Sequence, residues 1–151
     1  MSLTKIVVGL AALAVLGFAY YAISPLFRNI HVDEAVPVGV VSPTSAPQVD
    51  FPPANVMGTT GHPASGTARI VQTNGKAYVR YENFKTINGP DIYVYLSKDL
   101  AAKEFISLGK VRATEGNINY EIPKDVNIAD YPYVLTWCKQ FGVLFNSAKL
   151  L

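Results

Sequence analysis

Cysteine, histidine and charge are all scarce in this sequence, and each shortage closes off some chemistry. Cys138 is the only cysteine among 151 residues, so no disulfide can close within the chain. One cysteine cannot build a C-x-x-C-H haem attachment, an iron–sulfur cluster or a zinc finger. With scattered histidines it cannot fill a blue-copper ligand set either. The two histidines, His31 and His62, do not fall at metalloprotease spacing, and the chain has no glycine-rich phosphate loop or Gly-x-Ser-x-Gly elbow. Charged residues make up 16% of the chain and the net charge is +2, with no basic stripe interleaved with aromatics. A nucleic-acid partner is therefore not expected. Asn-x-Ser/Thr sites are missing as well, so glycosylation gives no handle on orientation.

Apolar residues, by contrast, are abundant. Residues 6–23, IVVGLAALAVLGFAYYAI, run for eighteen positions without a charge. As a helix they reach roughly 27 Å, close to the thickness of a bilayer core. Phe18, Tyr20 and Tyr21 gather at the far end, where aromatic rings favour the boundary of lipid and water. Lys5 and the amino terminus precede the run, while Arg28 is soon followed by Asp33 and Glu34. That layout favours residues 1–5 in the cytoplasm and the C-terminal domain outside it. Ala22, Ile23 and Ser24 imitate a small-residue cleavage site, but Pro25 and the bulky Tyr20 and Tyr21 oppose processing. A retained single-pass anchor over 6–23 is expected.

Residues 24–60 repeat proline, at Pro25, Pro37, Pro43, Pro47, Pro52 and Pro53. Proline lacks an amide donor and fixes φ, so this stretch reads as a linker that lifts the domain off the membrane. Pairing of 36–41 with an edge of the domain is the alternative.

Residues 61–151 read as β. Segments 67–72 and 76–84 flank Asn74 and Gly75, which both tolerate positive φ and predict a two-residue hairpin. That register opposes Ile70 to Val79 and Ala68 to Tyr81 on one face. On the other it opposes Arg69 to Arg80, with Glu82 diagonal to soften the repulsion and water expected beyond. Segment 91–97 alternates Ile92, Val94 and Leu96 with Tyr93 and Tyr95, apolar on both faces and suited to an interior position. A helical turn is expected at 98–104, a hairpin of 106–112 with 117–122 about Glu115 and Gly116, and a final pair from 133–138 and 141–146. Many short strands spaced by turn residues predict an all-β, antiparallel sandwich or small barrel after the apolar helix.

Cys138 ends one of these strands, on the face shared by Val134 and Thr136, while Trp137 shares the other with Tyr133 and Leu135. It can be buried filler, a link to a second molecule, or a redox or ligand group. Lys139 can favour the thiolate only if the chain turns there. Asp91, after Gly89 and Pro90, either orients a ligand or simply starts a strand. Nine tyrosines and Trp137 supply a binding face, a path for electrons, or core and rim.

Taken in order, GHPASGTARI from Gly61, GPDIYVYLS from Gly89, Leu108 with Gly109, Gly116 with Tyr120, Ile122 with Pro123, and the ending VLTWCKQFGVLFNSAKL form a pattern. From Gly61 to Leu150 it resembles the electron-transfer domain called DM-thirteen. That domain is found beside DOMON cytochrome-like domains in Skeletor- and Knickkopf-type animal proteins, and alone in secreted or anchored microbial proteins. The anchored form is what this layout resembles. The resemblance implies a β-sandwich whose characteristic cysteine, matching Cys138, does redox work as a bare thiol or as ligand to a prosthetic group such as haem. His62 matches the histidine of the opening motif and would serve as second ligand or proton partner, with Met57 another possible ligand. Such a haem would not be of c-type. The expected function is a redox or electron-transfer accessory with a redox partner protein, rather than a stand-alone enzyme. The alternative is a non-catalytic envelope module that binds a small ligand, polysaccharide or protein, with a structural cysteine.

Overall fold

The computed structural model describes residues 2–38 and 49–151. Helix α1 spans Leu3–Ile23 and is followed by a 3₁₀ turn, Ser24–Phe27. Eleven strands follow: β1 His31–Asp33, β2 Val49–Asp50, β3 Ala54–Asn55, β4 Met57–Gly58, β5 Ala64–Thr73, β6 Lys76–Thr86, β7 Ile92–Ser97, β8 Phe105–Lys110, β9 Glu115–Ile122, β10 Tyr133–Cys138 and β11 Val143–Lys149. No residue of α1 is buried, and Leu3–Phe27 has a mean hydropathy of 2.3, long and apolar enough to cross a membrane.

The strands form two sheets. One has the order β1-β9-β6-β5-β2, with β3 also on β5; the other has the order β4-β11-β10-β7-β8. Their facing sides share one core, with Ile70, Val79, Tyr81 and Ile118 of the first against Val94, Leu96, Val134 and Ala148 of the second. The expected all-β sandwich is the fold.

The turn at Asn74 and Gly75 sets the register as anticipated. Both residues have positive φ (51° and 70°), and Ile70 faces Val79, Ala68 faces Tyr81 and Arg69 faces Arg80. Glu82 binds both guanidinium groups, Arg69 Nη2 at 2.9 Å and Arg80 Nε at 2.8 Å. The water expected over this face is displaced at Arg80, which is 4% exposed. Arg80 Nη1 donates to the Glu34 carbonyl at 3.1 Å and to Asn119 Oδ1 at 2.9 Å, so the incoming chain covers it.

Part of the proline-rich segment joins the sheets instead of standing clear of them. The β1 strand pairs with β9, in the one parallel pairing among the named strands described, while β2 and β3 pair with β5 and β4 with β11. Of the 36–41 stretch, residues 39–41 lie outside the described residues.

Two local expectations give way. The segments β8 and β9 make no hairpin, because β8 pairs with β7 in one sheet and β9 with β6 in the other, so residues 111–114 cross between sheets. Residues 98–104 form turns rather than a helical turn; Asp99 Oδ1 accepts the Ala101 amide at 2.7 Å and Ala102 takes φ 50°, where a helix cannot continue.

Candidate functional site

Alternation along β10 decides where the sulfur goes. Val134, Thr136 and Cys138 are buried on the inner face, and Tyr133 and Trp137 are half-buried on the outer one. Cys138 lies in register with Ile92 of β7 and Val143 of β11, at the end of the sandwich. It is 1% exposed, and its Sγ–H donates to the Pro90 carbonyl at 3.2 Å. Ile92 and Phe145, with half-buried Ile87 and Val111 around them, wall it into a small cluster separate from the main core.

The 89–91 segment lies over the thiol because of three local features. A Cβ at Gly89 would stand 2.7 Å from Phe145 Cζ, so only glycine lets the chain pass this close to the ring. Asp91 turns the chain into β7 at φ 59°, and its carbonyl accepts the Lys139 amide at 3.1 Å, tying the segment to the residue after the cysteine. The Asp91 carboxylate meets Lys110 Nζ at 3.1 Å and, with Tyr93 adding, raises the lysine's pKa. Asp91 thus positions the backbone above the sulfur, and its polar contacts run to Lys139 and Lys110.

The ammonium of Lys139 lies over the outer face, away from the thiol. Its Nζ lies 5.4 Å from the centre of the Tyr93 ring, which Lys110 Nζ approaches at 5.7 Å. Trp137, in register with Tyr93, faces away from the thiol with it. Met57 is 64% exposed on the edge strand β4.

His62 reaches the cysteine cluster through an aromatic ring. It stacks on Phe145 with centroids 4.1 Å apart and planes at 25°. Its Nδ1 lies 3.1 Å from Thr59 Oγ1, whose own hydroxyl donates to the Leu144 and Phe145 carbonyls at 2.9 and 3.1 Å. Since that proton is taken, Nδ1–H is the donor to Thr59. Cys138, Asp91 and His62 therefore meet at one end of the fold, with Phe145 touching both the cysteine cluster and the histidine. Pro90, Phe145 and Thr59 are the members that sequence reasoning missed. A backbone carbonyl carries no side-chain mark, and Phe145 stood in the sequence only as one residue of the ending motif.

Residues 56–150 match the family described as electron transfer DM13. The chain belongs to that family. The match takes in the Thr59–His62 turn, the 89–91 segment and Cys138, and the family description gives the DM13 domain an electron-transfer-related role. No curated protein and no solved structure matches the chain.

A haem ligated by Cys138 does not fit this DM13 packing. The sulfur's proton is engaged by Pro90, and Ile92 and Phe145 fill the space where an iron and its macrocycle would stand. His62 faces the Phe145 ring rather than a position opposite the sulfur.

Proposed function

We propose that this chain is a membrane-tethered electron-transfer accessory acting outside the cytoplasm, with Cys138 as a redox thiol held in reserve beneath the 89–91 segment. One observation carries this reading: the buried sulfur has its polar contact with a backbone carbonyl in a connecting segment at the end of the sandwich. Outward movement of that segment would release the proton and open a path to the sulfur together, without unfolding either sheet. The freed thiolate would attack a disulfide of a partner protein. A bond would form between Sγ and one partner sulfur while the partner's S–S bond breaks. The other partner sulfur would leave as a thiolate and take up the proton that Cys138 released. Cys138 is oxidised and the partner reduced in that single exchange, so no further oxidant is required. His62, stacked on Phe145 beside the cysteine cluster, is the proposed proton partner.

The second reading is an envelope recognition module with a structural cysteine. It is favoured by the 1% exposure of Cys138 and its hydrocarbon walls. Thiol labelling of the full-length protein separates the two. Under the first reading Cys138 reacts in native buffer, at a rate that urea below the unfolding transition barely changes, as local opening requires. Labelling that appears only with global unfolding would leave the recognition module standing alone.

A further inference from the structure

The helix and the domain are joined without slack. Immediately after Phe27, the Arg28 carbonyl accepts Asn88 Nδ2 at 3.1 Å. The Ile30 amide donates to Thr114 Oγ1 at 2.9 Å, and the Ile30 carbonyl accepts the Thr114 and Glu115 amides at 2.8 and 3.1 Å. The end of the sandwich that carries Cys138 is therefore held at the C-terminal end of α1. The turn between β10 and β11 belongs to that end. Phe141 in the turn packs edge-on against Phe18 of α1, with ring centroids 6.2 Å apart and planes at 88°. Phe18 precedes Ile23, the last residue of α1, by five positions. At the helical rise that places it about 7.5 Å inside the helix end.

The residues around this contact have an amphipathic composition. Phe141 is 45% and Val143 37% exposed, so two large apolar side chains face out of the domain beside an apolar helix. Lys139, Lys110 and the Arg28 backbone lie at the same end, and Asp91 is the carboxylate that pairs with Lys110. Apolar rings at the depth of a residue within the span, with long cationic side chains beside them, match the boundary between acyl chains and headgroups.

We propose that the β10–β11 turn is a membrane-docking tip, in which Phe141 and Val143 enter the bilayer that holds α1 while Lys139 and Lys110 bind anionic lipid headgroups. This rests on the reading of α1 as a retained anchor. Docking sets the domain's end, and the cysteine behind it, flat on the leaflet.

The test uses the full-length protein in vesicles of equal parts phosphatidylcholine and phosphatidylglycerol with brominated acyl chains. Phe141→Trp and, at the opposite end of the domain, Lys103→Trp are compared with the parent, whose Trp137 is the common background. Docking predicts that the fluorescence added at 141 is blue-shifted and quenched by bromine several-fold more than that added at 103. The double variant Lys110→Gln/Lys139→Gln, made in the Phe141→Trp protein, should lower the docked-to-free ratio by about fivefold per lysine. In vesicles of phosphatidylcholine alone it should change nothing. Equal quenching at 141 and 103 in protein that resists alkaline carbonate extraction overturns the docking tip and leaves the anchor intact. Quenching at 141 that is indifferent to lipid charge and to the lysines overturns the headgroup assignment. Release of the protein by carbonate overturns the anchor and, with it, the docking that depends on it.

Discussion

Gly89 sits between the thiol's cover and the Phe145 ring, and it is the most economical point at which to disturb the site. A Cβ there would also lie 3.2 Å from Ile92 Cγ2, so a methyl group must displace the ring or lift the segment. Gly89→Ala is expected to cost about 1–3 kcal/mol in urea unfolding. It should also speed native labelling of Cys138, because the displaced segment is the one that carries Pro90. Tyr81 gives the opposite case. Its hydroxyl is fully buried, stands near Thr136 Oγ1 without hydrogen-bond geometry, and loses so much solvation that its pKa is pushed far up. Tyr81→Phe should therefore stabilise the domain by about 1 kcal/mol, read from the same urea curves. A loss of stability would mean that the hydroxyl holds a buried water. The sequence left three roles open for Cys138 because β10 is largely apolar on both faces, so alternation alone could not say which face was covered. Its hydrogen-bond partner is a backbone carbonyl, which no composition or spacing reveals.

Among the elements, β1 has the most exacting attachment. Gly116 of β9 adopts φ 114°, and a Cβ there would stand 1.9 Å from the Val32 carbonyl oxygen. Gly116→Ala should therefore expel β1 from the sheet and cost at least about 1 kcal/mol. Hydrogen exchange is the direct check, since the Glu34 amide, bonded to the Asn117 carbonyl at 2.8 Å, should lose its protection. How far the elements were legible follows the range of the forces that place them. The β5–β6 register was readable because Asn74 and Gly75 fix it within two residues. The β8–β9 pairing was misread because a Gly-containing connection looks alike whether the chain doubles back or crosses to the other sheet. The latter is decided by β6, whose residues pair with β9 across separations from Lys85–Glu115 to Ala77–Ile122. The incorporation of β1 was hidden for a related reason: it pairs through backbone amides and leaves no hydrophobic alternation in so short a strand.

At the scale of the whole molecule, acid should loosen the join between helix and domain. Arg69 holds the Glu82 carboxyl below its usual range, against an opposing effect of burial and with further help from Arg80. For Glu34, burial pulls upward, but Arg112 and the Asn119 amide outweigh it and the net shift is also downward. Both carboxylates are thus more acidic when folded than when unfolded. Their contribution is complete above the ordinary glutamate range near about 4.3 and is lost as pH falls through the lower folded values. Urea stability should be flat near neutrality and decline below about pH 4. Glu82→Gln/Glu34→Gln should be less stable at neutral pH and show a shallower decline; an unchanged acid limb would assign the loss to other groups.

The stitching of Arg28 to Asn88 and of β1 to β9 also limits where encounters can take place. With α1 in a bilayer, residues 28–33 would hold the domain close to that surface. For a partner anchored in the same membrane, the frequency of meetings would then scale with crowding per unit of area rather than with bulk concentration.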